Sequence, residues 1–190
     1  MPIMPIYIVG EPILQIQTEP VIFNMFCSFN YDILLTLIKD MFDTMQAANG
    51  VGLAANQIGN SKRIFVYNCT IDNYKKISRC GVVINPVLET SSIPESMPNI
   101  NEDEEGCLSV PNEYFPLGRA RWASVTGLDI TGSLIYLEGV ELFARMLQHE
   151  IGHLDGHLYI ERLLGRYKRE AKKKVRRNNW GAPGLSWIPK

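Results

Sequence analysis

Apolar side chains recur every three or four positions in two stretches of the chain, residues 31–49 and 140–155. This spacing places them on one face of an amphipathic helix, so we expect a helix in each stretch. Gly50 follows the first stretch and Asp155-Gly156 closes the second, as helix stop signals do. A third helix, rich in basic residues, is expected over 161–178.

Short segments rich in β-branched and aromatic residues lie between these helices and have the composition of strands. Thr131-Gly132 separates the last two segments, which predicts a tight hairpin. Because the strands and helices alternate without a β-α-β rhythm, the pattern indicates the α+β fold class. The expected strands are residues 63–68, 81–88, 123–130 and 133–137.

Residues 90–104 are polar, contain prolines and run into the acidic sequence of residues 102–105. We interpret them as an exposed loop that leads into a site. No internal repeat or linker interrupts the chain, and its 190 residues can enclose one full core. We therefore expect a single domain over 1–190, in which residues 165–190 form a basic helix and tail.

Composition adds expectations about location. The formal net charge is −1, and no apolar run approaches the ~20 residues that a membrane span requires. The first residues lack the cationic and apolar regions of a secretory signal. The cysteines are widely spaced, so we expect reduced thiols and a cytoplasmic protein. They are Cys27, Cys69, Cys80 and Cys107.

The second apolar helix carries the motif H-E-x-x-H, in which His149 and His153 flank Glu150 and two further residues. Positions i and i+4 lie on one face of a helix, so both imidazoles can reach a single metal ion. Glu150 then lies beside that ion, as a general base for a metal-activated water does. These residues could also belong to an ordinary surface helix, but the apolar flanks indicate burial, and buried polar groups need partners.

A catalytic metal site of this type needs a third protein ligand. His157 is excluded by geometry, since eight residues of helix rise about 12 Å. Glu161 lies too near in sequence, and Glu170 is a weak candidate in the basic helix. Cys107 is the better candidate because it lies next to a glycine after the acidic run and a thiolate is a strong ligand.

Residues 50–57 read G-V-G-L-A-A-N-Q and loosely match a dinucleotide-binding fingerprint. That fingerprint follows a strand and opens a helix, whereas this segment follows a helix and precedes a strand, so we reject nucleotide binding. The small residues indicate backbone that another group approaches closely. Gln57 supplies an amide donor at the end of the segment.

Three segments together resemble the peptide deformylase family. They are G-x-G-L-A-A-x-Q at residues 50–57, E-G-C-L-S at 105–109 and H-E-x-x-H at 149–153. The tail at 180–187 is similar to that of actinobacterial members. The resemblance implies antiparallel sheets packed around a central helix carrying H-E-x-x-H, with a C-terminal helix. It also implies hydrolytic removal of the formyl group from N-formylmethionyl nascent peptides, with release of formate.

The resemblance further implies a role for each matching residue. The metal would be ferrous iron, replaceable by zinc, nickel or cobalt. The implied ligands are Cys107, His149 and His153, with Glu150 as the proton carrier. Gln57 and the Leu108 backbone N–H would bind the oxyanion, and Glu105 with Arg119 would support Cys107 from behind. The candidate substrate-binding residues are Val51, Gly52, Leu142, Arg145 and Met146, although Val51, Leu142 and Met146 could equally be core residues.

Two positions depart from the family pattern. Gly152 occupies the place of the usual aspartate within H-E-x-D-H, and we expect it to face away from the ligand atoms. Arg145 lies one turn before His149 beside an otherwise apolar pocket. It either lines the pocket mouth and contacts the peptide or points to solvent.

The segment 162–177 contains nine lysine or arginine residues and one acidic residue, Glu170. It forms either a solvated helix face or a surface that docks on ribosomal RNA near the emerging substrate. Neither DNA nor a membrane is an expected partner. Two rival functions remain open at this point: a metallopeptidase with Glu170 as third ligand, and a metal-stabilised ribosome-binding module without turnover.

Overall fold

The computed structural model describes residues 2–23, 28–72, 77–93 and 98–189, with only the backbone of residues 28–30 and 72. In chain order the strands are β1 (Ile6–Tyr7), β2 (Gly52–Ala54), β3 (Ile64–Asp72), β4 (Ile77–Thr90), β5 (Glu104–Cys107), β6 (Val110–Pro116), β7 (Trp122–Leu128), β8 (Leu134–Val140) and β9 (Ser186–Trp187). The α-helices are α1 (Ser28–Ala47), α2 (Glu141–Leu154), α3 (Tyr159–Arg162) and α4 (Gly165–Arg177), and two short 3₁₀ helices span Pro12–Gln15 and Ala55–Ile58.

The strands form antiparallel sheets. The largest has five strands in the order β2-β3-β4-β7-β8. The hairpin β5-β6 forms a separate two-stranded sheet, and β1 pairs with β9 near the two ends of the chain. This arrangement confirms the α+β fold class expected from the sequence.

The five-stranded sheet is packed on both faces at β3, where successive side chains point to opposite sides of the sheet. On β3, Phe65 packs into a cluster with Phe143 and Leu147 of α2. Its neighbour Ile64 packs into a second cluster with Met41 of α1. The helix that carries H-E-x-x-H is therefore held against the sheet by its apolar face.

The first two expected helices and the four expected strands are confirmed, with different bounds. The single basic helix expected over 161–178 is wrong, because Leu163 and Leu164 are extended and separate α3 from α4, and Leu163 is buried in the core. The turn between β7 and β8 is longer than the tight hairpin expected at Thr131-Gly132. It spans residues 129–133 and is organised by the Asp129 carboxylate, which accepts backbone N–H groups from Thr131 and Ser133. The composition did not reveal this loop length. The side chain of Asp129 closes the hairpin here, in place of a two-residue turn.

The acidic end of the expected 90–104 loop also differs from the prediction. Glu104 and Glu105 belong to β5, and Glu105 is buried. The loop contains residues 94–97, which lie outside the described residues, as does Cys27. Strands β1, β2, β5, β6 and β9 were not predicted, because four of them have two to four residues and the fifth, β6, contains two prolines.

The C-terminal segment packs back onto the body of the molecule. Helix α4 buries Tyr167 and Ala171, and the chain then returns so that Trp187 of β9 lies opposite Ile6 of β1. Within the described ranges, none of the helices is both long and apolar enough to cross a bilayer.

Leu147→Ala should destabilise the fold strongly. Leu147 is fully buried between α2 and the sheet, so truncation leaves a cavity that costs about 2–5 kcal/mol. The matched control is Leu134→Ala on β8, where the side chain is 76% exposed and the expected change lies within about 0.5 kcal/mol. Urea unfolding measures both free energies, and equal losses would contradict this packing arrangement.

Candidate metal centre and active site

Three potential metal ligands converge between α2 and the β5-β6 hairpin. Cys107 ends β5, and His149 and His153 lie one turn apart on α2. The Cys107 Sγ lies 3.1 Å from His153 Nε2, which lies 3.2 Å from His149 Nε2. Their ligand atoms all lie within 4.8 Å of one another. The two elements thus direct one sulfur and two nitrogens at a common point.

Glu105 and Arg119 pair as expected, but the Glu105 carboxylate contacts the ring of His149 and not the thiol of Cys107 that it was expected to support. Glu105 Oε1 lies 2.7 Å from His149 Nδ1, which turns Nε2 towards Cys107. Arg119 makes a bidentate pair with the same carboxylate, with N–O distances of 2.6 and 3.0 Å. Burial works to raise the pKa of Glu105, but the hydrogen bonds from His149 and Arg119 outweigh it and hold the pKa well below its usual range. The carboxylate therefore stays ionised behind the site.

Arg145 joins the same network instead of pointing to solvent. Its guanidinium donates to Glu105 Oε2 at 3.0 Å, to the Leu117 carbonyl at 2.7 Å and to Asp103 Oδ1 at 2.7 Å. The solvent-facing alternative is wrong, because the buried Glu105 and Leu117 and the half-buried Asp103 hold the guanidinium inwards. Arg145 still borders the cavity described below.

Glu150 borders the cavity from the part of α2 that packs against β2. Burial raises the pKa of its carboxyl group to about 7. The charge of the nearby His149 lowers this pKa but offsets only part of the effect of burial. Among the described residues, its Oε2 has no hydrogen-bond partner. Gly52 of β2 makes room for the carboxylate, since a Cβ at that position would overlap Glu150 Oε1. This close approach explains why the 50–57 segment has a glycine at position 52.

The amide of Gln57 is oriented by its own backbone segment. The Ala54 N–H donates to Gln57 Oε1 at 2.9 Å, which leaves the Nε2 group facing the hairpin. That nitrogen donates to Ser109 Oγ at 3.2 Å and lies 3.9 Å from Cys107 Sγ. Leu108 follows Cys107 directly and lies at the tip of the hairpin, so both expected oxyanion donors border the ligand cluster.

A cavity of about 340 Å³ opens over the cluster. Val51 and Leu142 are exposed on its rim, while Gly52 and Met146 are buried. The expected site residues that line it are Val51, Gly52, Gln57, Glu105, Cys107, Leu108, Leu142, Arg145, Met146, His149 and Glu150. His153 and Arg119 do not line the cavity, but they contact residues that do.

The alternative third ligands lie away from the cluster. His157, Glu161 and Glu170 are exposed, and Glu170 borders a groove on α4. Gly152 is buried on α2, where a Cβ would meet only the His157 carbonyl oxygen, at 3.8 Å. Packing therefore leaves space for a side chain at position 152, and nothing in the structure explains the glycine.

Several contributors to the site were missed from the sequence. Asp103 pairs with Arg145, Ser109 accepts from Gln57, and the Trp187 indole donates to the Leu108 carbonyl at 2.9 Å. These pairs are 42, 52 and 79 residues apart in the chain, so no local pattern reveals them. The only available signal was the resemblance of the tail to that of actinobacterial deformylases.

Comparisons with known proteins agree with this geometry. Residues 3–169 match the family model described as polypeptide deformylase. The chain belongs to the polypeptide deformylase family. The peptide deformylase of Mycolicibacterium smegmatis is 65% identical over 189 residues, covering all of this chain and 95% of that protein.

Solved structures show the same architecture. The peptide deformylase from Synechococcus elongatus in complex with actinonin superposes with a TM-score of 0.77 at 27% identity, covering 97% of this chain and 92% of that one. The Met-Ala-Ser-bound class I type b enzyme from Acinetobacter baumannii gives a TM-score of 0.68 at 32% identity, covering 85% and 99%. The chain is thus a metal-dependent hydrolase that removes the N-formyl group from newly synthesised polypeptides.

Gly52→Ala should impair deformylation without unfolding the protein. The added Cβ displaces the Glu150 carboxylate, and a shift of about 1 Å at a reacting group can cost about 10²-fold in rate. Formate release from formyl-Met-Ala-Ser, with thermal denaturation in parallel, measures both properties. Gly118→Ala is the matched control, because its Cβ would make only ordinary contacts of 3.8 and 4.0 Å. Full activity of Gly52→Ala would contradict the packing of Glu150 against β2.

Proposed function

We propose that Cys107, His149 and His153 hold one ferrous ion, which serves the deformylation reaction. The main support for this proposal is that their three ligand atoms lie within 4.8 Å of one another, beside the buried carboxylate of Glu150. One thiolate and two imidazoles suit a divalent transition metal and leave a position open for water. Zinc, nickel or cobalt would fit the same donors.

The residues around these ligands support a resident ion. The His149 and His153 nitrogens face each other at 3.2 Å with the thiol at the same point, and a metal ion satisfies all three lone pairs together. The Glu105 contact to His149 Nδ1 is the outer-shell arrangement that orients metal-bound histidines. When bound, the ion lowers the pKa of a coordinated water and polarises the formyl carbonyl.

Glu150 acts as the proton carrier in this proposal. It accepts a proton from the attacking water and later passes it to the departing amine, which is general acid–base exchange. Its pKa of about 7 suits both directions of transfer near neutral pH. The Gln57 amide and the Leu108 N–H donate to the oxyanion that develops on the formyl oxygen.

The cavity binds the N-terminal methionine of the substrate. Val51, Gly52, Leu142, Arg145 and Met146 border it, and Met146 adds a flexible apolar wall for a thioether side chain. The Acinetobacter baumannii structure holds Met-Ala-Ser, the peptide that deformylation of formyl-Met-Ala-Ser releases. This shared chemistry supports formyl-methionyl peptides as the substrate here.

Cys107→Ala should abolish both metal retention and activity. With the thiolate removed, two imidazoles remain, and we expect bound metal and formate release to fall at least about 10²-fold. Metal analysis of anaerobically purified, iron-loaded protein measures the first, and a formate assay measures the second. Cys80→Ala is the control, since Cys80 is an exposed thiol on β4.

Two outcomes would contradict the ligand assignment. Retention of one metal per chain by Cys107→Ala would mean that another residue completes the site, as the metallopeptidase alternative requires. Full activity of that variant would exclude the thiolate from the reaction. The exposed position of Glu170 on α4 already argues against it as the substitute ligand.

The proposal extends to the cellular setting. We place the protein in the cytoplasm as one domain over residues 1–190, with α4 as a docking surface for ribosomal RNA. On α4, Arg169, Lys173 and Arg177 are exposed and four residues apart, so they share one face. Tyr167 and Ala171 on the opposite side are buried, which fixes that basic face outwards.

Neutralising this face should weaken ribosome binding. We expect R169Q/K173Q/R177Q to reduce the slope of log affinity against log salt by about one for each cation removed. Co-sedimentation with ribosomes at several salt concentrations measures the slope. The matched control is K39Q/K62Q/R121Q, which removes three partly exposed or exposed cations elsewhere on the molecule. Equal slopes for the two variants would exclude α4 as the docking surface.

A further inference from the structure

Trp187 connects the C-terminal tail to the rim of the active-site cavity. It belongs to β9, pairs with Ile6 of β1 and is half-buried. Its ring packs against the second cluster, that of Ile64 and Met41, and against a third cluster that contains Leu14, Val110 and Leu163. It also lines the cavity. The mechanism proposed above gives this residue no role, although it lies in the same cavity as Cys107 and Glu150.

The indole of Trp187 fixes one end of a peptide group whose other end contacts the proposed thiolate. Trp187 Nε1–H donates to the Leu108 carbonyl at 2.9 Å. The N–H of the same peptide group belongs to Ser109 and lies 3.4 Å from Cys107 Sγ. The C=O and N–H of a trans peptide are coplanar and point in opposite directions, so these two contacts together set the orientation of the plane.

The surrounding backbone holds Trp187 at this place. The Val9 N–H donates to the Ser109 carbonyl at 2.8 Å, so the next carbonyl of the hairpin tip is also held. The tail is tied to the same N-terminal segment by Ile8 N–H to the Leu185 carbonyl at 3.0 Å and Gly181 N–H to the Val9 carbonyl at 2.9 Å. The hairpin tip, the N-terminal segment and the tail therefore form one hydrogen-bonded unit.

We propose that Trp187 is a positioning residue for deformylation, which acts through the Leu108–Ser109 peptide group on the Cys107 sulfur and on the Leu108 N–H. A hydrogen bond to the carbonyl polarises the peptide, which strengthens the N–H contact to the sulfur at its other end. The same bond limits rotation at Leu108, whose own N–H must point at the formyl oxygen. This inference rests on the proposed roles of Cys107 and Leu108.

The test removes the indole N–H and keeps the ring. In the full-length enzyme we compare Trp187→Phe with a variant that carries 3-benzothienylalanine at position 187, in which sulfur replaces the N–H group. In both variants we expect kcat to fall about tenfold, which is the low end of the range for residues that support a metal ligand. KM should be nearly unchanged. In the cobalt-loaded enzyme, the thiolate-to-metal absorption band should shift in both variants.

Trp180→Phe is the matched control. Trp180 is a half-buried tryptophan of the same tail that packs against the third cluster, that of Leu14, Val110 and Leu163, and does not line the cavity. We expect its kcat and its cobalt band to equal those of the unmodified enzyme. A loss of thermal stability shared by the position 180 and 187 variants then marks a packing effect, whereas the band shift marks positioning at the sulfur.

Several results would overturn the inference. An unchanged band and kcat in the benzothienylalanine variant would show that the N–H group contributes nothing, even if Trp187→Phe unfolds. A rise in KM alone would make Trp187 a pocket wall only. A thiolate band absent from the unmodified enzyme would overturn the Cys107 assignment itself and the inference with it. A band that is present but insensitive to position 187 would overturn this inference alone.

Discussion

The structure of the site depends on one buried carboxylate, that of Glu105. Each of its oxygens accepts two contacts: Oε1 from His149 and Arg119, and Oε2 from Arg119 and Arg145. A carboxylate has about four acceptor positions, so the group is saturated. Removing one partner of such a buried pair typically costs about 3–5 kcal/mol. This network joins β5, which ends in Cys107, to the helix that carries His149.

Close backbone approach completes the arrangement around that carboxylate. The absence of a side chain at Gly52 lets the Glu150 carboxylate lie against β2, where burial raises its pKa to about 7. Gln57, on the same segment, is oriented by the Ala54 N–H. The three family motifs meet because β2, the β5-β6 hairpin and α2 all border the same cavity, and each supplies a different chemical group.

The sequence predicted the parts of this site that have a local period. His149 and His153 lie one helical turn apart, and the apolar positions around them indicated which face of α2 is buried. Cys107 was preferred as the third ligand for its thiol and its glycine neighbour, and the family motifs supported that choice. Its distance from His149 could not be predicted, because it depends on how the β5-β6 hairpin packs against α2. The pairing of Arg145 with Glu105 and of Trp187 with Leu108 could not be predicted, since each joins elements whose relative positions only the folded chain fixes.

The claim that unites these observations is that Cys107, His149 and His153 hold one metal ion beside a free Glu150 carboxylate. Anomalous diffraction at the iron edge, from crystals of protein purified without oxygen, tests it directly. We expect one peak per chain, bonded to the Cys107 sulfur and to Nε2 of both histidines, with Glu150 outside the coordination sphere. A peak at any other residues, or one coordinated by Glu150 in place of Cys107, would contradict it.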